Sequence, residues 1–274
     1  MNNIFFDSKN FTDGFRSKLF PSLFSQLAND APNYLSYIWP TVIKSINTQG
    51  FLGSALYMTD MALDACELVY EPQTGRADLI TQGMTNFEIQ ELEAVLDLFH
   101  YVQPQVLLIG AALAEAFERE KVGGQGGGQL RKLSDREKKH LLTEVKMDHT
   151  DAPNFSNIVD ILQLSEAPDL YRALGEWQLA IDIFWGELQH LATYPDFRRR
   201  GRALYYYARA GSKFLAVPLN ANFSSLNKLG ISSKEIIRAQ QIVNDNIPVL
   251  AMMIMHCTAM RLALGHSIRE VVQS

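Results

Sequence analysis

The chain has 274 residues, 47% of them hydrophobic and 20% charged, with a formal net charge of −5. That length and apolar share suffice for one large core or two smaller ones. The acidic balance argues against nucleic acid as a partner, because phosphate binding needs a basic footprint.

The N-terminus, MNNIFFDSKNF, lacks the basic start and long apolar run of a signal peptide. Next come PSLFSQLA (Pro21 to Ala28) and APNYLSYIW (Ala31 to Trp39). The run from Phe51 to Val69 then carries Leu52, Ala55, Leu56, Ala62, Leu63, Cys66 and Val69 on one face at helical spacing. Asp60, Asp64 and Glu67 lie beside that stripe at i, i+4, i+7, which reads as a solvated face rather than a metal or acid–base pair. Thr85-x-x-Glu88 is a capping-box pattern that opens a long apolar helix.

VGGQGGGQ, Val122 to Gln129, follows a helix ending AEAFEREK. Phosphate-cradling glycines follow a strand and open a helix, so a flexible linker is expected here. It divides the chain into a helical lobe over residues 1–121, a linker over 122–133 and a second helical lobe over 134–274.

The second lobe repeats the first. Trp39 and Trp185, Phe51 and Phe197, and Ala62 and Ala208 all lie 146 positions apart. PSLFSQLA matches PDLYRALG (Pro168 to Gly175) and GMTNFEI (Gly83 to Ile89) matches GISSKEI (Gly230 to Ile236), both at offset 147. Ser232-x-x-Glu235 supplies the second capping box. A repeat this long predicts two similar lobes. With no period-2 alternation between hairpin turns, the fold is read as all-α, with the lobes packed as an intramolecular pseudo-dimer. The interface between them is a natural place for a pocket.

Few groups suggest chemistry. Cys66 and Cys257 sit in apolar helical runs and form no CxxC or zinc pattern, so they read as buried small hydrophobes. The six histidines show no paired-ligand spacing, and no metal or other cofactor is expected. His100 and His256 read as hydrogen-bonded core residues, His140 and His149 as solvated ones. No GxSxG elbow is present. FRRRGR, Phe197 to Arg202, opens a helix with Arg202, Tyr206, Arg209 and Lys213 at i, i+4, i+7, i+11. Its arginines can clamp a substrate carboxylate, form a solvated face, or bridge to acids of the first lobe. Met252, Met253, Met255 and Met260 on the last helix fit core packing, or an adaptable pocket wall. The most apolar segment, Ile247 to Gly265, contains His256 and Arg261 and reads as a buried helix rather than a membrane span. A cytoplasmic protein is the expectation.

Asp169, in APDLYRALGEW, has two readings. It can cap the helix it opens, or it can be a carboxylate that activates water. At offset 147 it pairs with Ser22, and both residue types are favoured N-caps. Capping accounts for both lobes with one physical reason; catalysis accounts for Asp169 alone.

The ordered set of LYRALGEW and IFW in the second lobe, with APNYLSYIW and GFLGSALYMTDMAL in the first, resembles the group I α-haloacid dehalogenase family across nearly the full chain. The resemblance implies an all-α pseudo-dimer with its active site between the lobes. It implies cofactor-independent hydrolysis of a small 2-halocarboxylic acid to the 2-hydroxy acid, by an aspartate-activated water attacking the halogen-bearing carbon. It carries the catalytic role to Asp169. In the family that acid stands directly before the tyrosine of the YRALG-type helix, whereas here Leu170 holds that place and Asp169 stands one residue earlier. The family's second water-holding polar group falls at IDIFW, Ile181 to Trp185, where Asp182 is the polar residue on offer. Phe24, Leu27, Trp39, Tyr171 and Arg202 become the candidate substrate-binding residues. The expected partner is a small carboxylic acid, with no nucleic acid or membrane and a homodimer left open. The alternative is a non-catalytic relative that binds a small molecule or regulates, with Asp169 bonded to the backbone N–H of Tyr171 or Arg172. A helical redox relative of the carboxymuconolactone type is disfavoured by the missing CxxC.

Overall fold

In the computed structural model, residues 8–147 and 153–270 are described; His149 lies outside them. Among the described residues there is no strand, only two isolated bridges. The helices are α1 (Ser8–Phe15), α2 (Ser22–Asp30), α3 (Pro32–Ile46), α4 (Gln49–Glu67), α5 (Arg76–Thr81), α6 (Asn86–Glu118) and α7 (Asp135–Leu142). They are followed by α8 (Phe155–Leu162), α9 (Asp169–Leu174), α10 (Gln178–Thr193), α11 (Pro195–Gly211), α12 (Phe223–Lys228) and α13 (Ser233–Ala263). The starts of α2, α3, α4 and α6 are matched in order by those of α9, α10, α11 and α13, at offsets of 146 or 147.

The architecture turns on α6 and α13. Both are apolar enough over 18 residues to cross a membrane by composition and length, yet they pack against each other and against α4 and α11 as core helices. The two approach closely because α6 has a glycine at the contact. A Cβ on Gly110 would meet Ile247 Cγ1 at 3.3 Å. Cys66 and Cys257 are both buried, as expected, and burial pushes the Cys257 thiol up to about 12.

The helix starts show where local sequence rules hold. Thr85 and Glu88 form the expected reciprocal box, with Glu88 N–H donating to Thr85 Oγ1 at 3.2 Å and Thr85 N–H to Glu88 Oε2 at 2.7 Å. The second box is only half made. Ser232 caps Glu235 N–H at 3.2 Å, but the Glu235 carboxylate turns outward and accepts from the N–H groups of Asn33, at 2.7 Å, and Tyr34, at 3.0 Å. It thereby satisfies the free amides at the start of α3, whose N-cap position is Ala31 and has no side-chain acceptor.

Two other expectations are corrected by packing. Asp60 is not part of a solvated face: it is buried and accepts the Glu270 N–H at 2.7 Å, while Asp64 and Glu67 both pair with Arg269. The three acids hold the segment after α13 against α4. Nor is the glycine-rich segment free. Val122 exchanges both backbone hydrogen bonds with Leu219, Gly124 N–H donates to Leu215 O at 2.7 Å, and Gln49 N–H donates to Gln129 O at 2.8 Å. The glycines permit this close approach. A Cβ on Gly126 would lie 1.8 Å from Phe214 O, a contact that backbone on both sides cannot relieve. Gly126→Ala is therefore expected to lower stability by about 1–3 kcal/mol, read as a lower urea midpoint. A midpoint within error of wild type would show that the segment can lift off without cost.

A buried ionic cluster braces α6 and α7 against the turn after α1. Glu137, 1% exposed, accepts from Arg131, from Arg16 at 2.8 Å and from the Tyr101 hydroxyl at 2.7 Å, and it also closes the Ser134 capping box. Next to it, Asp97 takes Arg136, Arg261 at 2.9 Å and His140 Nε2 at 2.8 Å. His140 is thus buried and paired rather than solvated. Its polar neighbours in sequence face water, but its own ring turns inward to the Asp97 carboxylate.

Candidate functional site

Pro168 and Pro21 stand at the N-cap positions of α9 and α2 with nearly the same extended backbone, and neither helix has a side-chain cap. This shifts Asp169 and Ser22 to the first helical residue. From there the Asp169 carboxylate makes no hydrogen bond to its own helix's first-turn amides. It crosses instead to the start of α2, where Oδ2 accepts the Ser22 N–H at 2.7 Å and Oδ1 accepts the Ser22 hydroxyl. The capping reading is thus corrected: Asp169 does not cap α9, and it bonds neither Tyr171 N–H nor Arg172 N–H. It supplies an acceptor to a different helix. The two residues that the repeat equates at offset 147 touch each other.

Asp169 opens on a cavity of about 370 Å³ between α2, α9, α6 and α13. Its wall includes Ser22, Gln103, Asn246, Val249, Leu250 and Met253. The carboxyl side chain is 13% exposed, and burial raises its pKa. The two Ser22 hydrogen bonds and the Arg172 guanidinium, 3.8 Å away, pull the other way without cancelling it. The result is a more basic carboxylate than a solvated one, beside a partly open space large enough for a small ligand.

Gln103 is the polar group that the sequence reading missed. It is 3% exposed, lines the same cavity, and its Oε1 has no hydrogen-bond partner among the described residues. Asn246 reaches Gln26 Oε1 and Ile242 O, each at 2.9 Å. Both stand close before an in-helix proline, Pro104 or Pro248, and Gln103 is an amide in an apolar helical run. Asp182, by contrast, is exposed and bonds Asn154 and Gln178. It lines no described cavity.

The structure brings few of the other candidates to the site. Phe24 and Trp39 belong to a closed aromatic cluster with Phe11 and Phe15, their own rings edge to face at 5.7 Å. Leu27 is fully buried in the core, as is Leu170. The face of α2 that meets Asp169 is Ser22; Phe24 and Leu27 point to the other side. Tyr171 is sealed too, its hydroxyl 2.8 Å from His256 Nδ1 and its ring against Trp185. The four candidates Phe24, Leu27, Trp39 and Tyr171 are packing residues and line neither the Asp169 cavity nor the one that holds Arg202. Arg202 does line a cavity, but a different one, described below. Arg209 instead bridges to Glu115 on α6. No group of three potential metal-ligating side chains occurs among the described residues.

Two buried imidazoles near this core are held neutral. Burial lowers His256 to about 3. It lowers His100 to about 4, helped by Arg261 and opposed by Glu270. In the unfolded chain a histidine takes its proton near pH 6.5. Below that value the unfolded state binds more protons than the folded one, so stability falls as pH falls from about 6.5 toward the folded pKa values. Asp169, raised in the folded state, offsets a part of this. Moving from pH 7 to pH 5 is expected to cost about 2–4 kcal/mol, seen as a falling urea midpoint. A flat midpoint over that range would contradict the neutral, buried state of these rings.

No protein-family model matches the sequence, and neither does any curated protein. Solved structures do match. A D-2-haloacid dehalogenase mutant in complex with D-2-CPA superposes with a TM-score of 0.83 at 17% identity, over 93% of this chain and 89% of that one. A D-2-haloacid dehalogenase in complex with L-LA gives 0.83 at 18% identity, over 93% and 90%. A further mutant of a D-2-haloacid dehalogenase gives 0.81 at 17% identity, over 93% and 89%. Across almost its whole length, the chain has the all-helical fold of the D-2-haloacid dehalogenases.

Proposed function

We propose that the protein is a hydrolase that releases halide from a small 2-halocarboxylic acid, with Asp169 as the base. The observation that carries this reading is the Asp169 carboxylate, basic through burial, at the wall of a cavity large enough for a small ligand. In the reaction, Asp169 draws a proton from a water whose oxygen attacks C2. The carbon–halogen bond breaks on the opposite side, giving the 2-hydroxy acid, halide and a proton. Ser22 fixes the carboxylate through both oxygens, and each oxygen keeps a lone pair for the water. Gln103 and Asn246, with Gln26, are the amides that line the cavity for water and substrate. The dehalogenase structures with bound D-2-CPA and L-LA support a substrate of this size. We also read the matched helix series as a duplicated unit packed as a pseudo-dimer, with the Ser22–Asp169 contact near its axis.

One observation favours a second reading. Both Asp169 oxygens already accept from Ser22, as in a purely structural tie, which suits a non-catalytic protein that binds a small carboxylate. Ion chromatography of chloride after incubation with each enantiomer of 2-chloropropionate separates the two. Release from one or both, lost in Asp169→Asn, is expected. No release from either would leave only the binding reading.

A further inference from the structure

The cationic face of α11 is not used by the Asp169 site. Of its arginines, Arg199 and Arg200 pair with Asp196, and Arg209 pairs with Glu115. The side chains of Arg198 and Arg202, one turn apart on the same face, have no ion pair or hydrogen bond among the described residues. These two alone of the five line a cavity of about 750 Å³ between α11 and α13. Its floor is apolar, built from Phe197, Ala251, Met252 and Met255. Its one acid is Asp245, which lies with Leu164 and Val249 in the wall shared with the Asp169 cavity and has no partner among the described residues.

Apolar floor, adaptable thioethers and a pair of unspent guanidiniums at the mouth are the parts of a site for an amphipathic anion. We propose that this cavity is a second ligand site, for a monocarboxylate whose hydrocarbon part lies on Phe197, Met252 and Met255 and whose carboxylate pairs with Arg198 and Arg202. Asp245 sets the charge selectivity. Against two guanidiniums it leaves one net positive charge, which suits a monoanion, and it repels a second carboxylate on the same ligand. The proposal does not depend on what Asp169 does.

Calorimetric titration with octanoate, octanol and suberate tests it on the full chain. Octanoate is expected to bind more tightly than either. Arg198→Gln/Arg202→Gln should weaken octanoate by at least about tenfold and leave octanol unchanged. Both arginines are exposed and unpaired, so this variant should keep the wild-type circular dichroism. Met252→Trp, which fills the floor, should weaken octanoate and octanol together. Asp169→Asn should bind octanoate as wild type does. Absence of saturable octanoate binding, or wild-type binding in the double-arginine variant, would overturn the proposal. So would loss of binding in Asp169→Asn, which would assign the ligand to the other cavity.

Discussion

Glu137→Ala is expected to destabilise the protein by about 3–5 kcal/mol, the usual cost of leaving a buried charge without its partner. Glu137 is the acceptor for Arg131, which is itself buried, and for Arg16 and the Tyr101 hydroxyl. Removing the carboxylate strands a guanidinium that also holds Ile46 O at 2.9 Å, and it opens the Ser134 capping box at the start of α7. The penalty belongs to the stranded charge rather than to the ion pair as such. Arg131→Leu/Glu137→Leu should therefore recover part of the loss, even though it removes more hydrogen bonds. The cluster also sets an acid limit. Burial opposes ionisation of Glu137, but Ser134, Tyr101, Arg131 and Arg16 outweigh it and hold its pKa below the usual range. Its contribution is present above the normal carboxylate pKa and fades as pH falls through the lowered one. Urea unfolding at pH 7 decides the matter: a loss under about 1 kcal/mol would place Glu137 among surface-like ion pairs.

Asp169→Asn is expected to lower halide release by about a thousandfold or more, since a positioned general base contributes roughly 10²–10⁴ and an amide cannot take the proton. The same change should leave the fold intact. The asparagine carbonyl still accepts from one Ser22 donor, and the Ser22 hydroxyl can rotate to accept from the new amide. Burial penalises the charge on Asp169, so removing it relieves a cost, and the melting temperature should stay level or rise. Activity lost with stability kept is the signature of a catalytic carboxylate. Activity kept would make Asp169 a helix tie, and a large drop in stability would point the same way.

The sequence carried the fold further than the site. Helical periodicity over 51–69, the Thr85 box and the offset between Trp39 and Trp185 are local or pairwise patterns, and each corresponds to observed helices. Asp169 was legible as a significant acid, but not the direction it faces. That direction is set by Pro168, which takes the N-cap position, and by the arrival of Ser22 from 147 residues away. Phe24, Leu27, Trp39 and Tyr171 were expected near the pocket because they flank the repeated helix starts. Each of those helices, α2, α3 and α9, has another face, and these four side chains lie on the core face. Asp60 and His140 were read as solvated from polar neighbours, whereas each turns inward to one specific partner. Gln103 was passed over because one amide in an apolar run carries little signal until a cavity is seen beside it.

The crossing of Asp169 to Ser22 and of Glu235 to Asn33 and Tyr34 has a consequence for the order of events during synthesis. Neither α2, of nine residues, nor α3, of fifteen, has a side-chain cap of its own. A helix as short as α2 is marginal on its own. Their missing acceptors come from residues that leave the ribosome much later, at positions 169 and 235. These two helix starts reach their native hydrogen bonding only once residues 169 and 235 have been made. The last native contacts of the N-terminal helices are thus with residues from the far half of the chain.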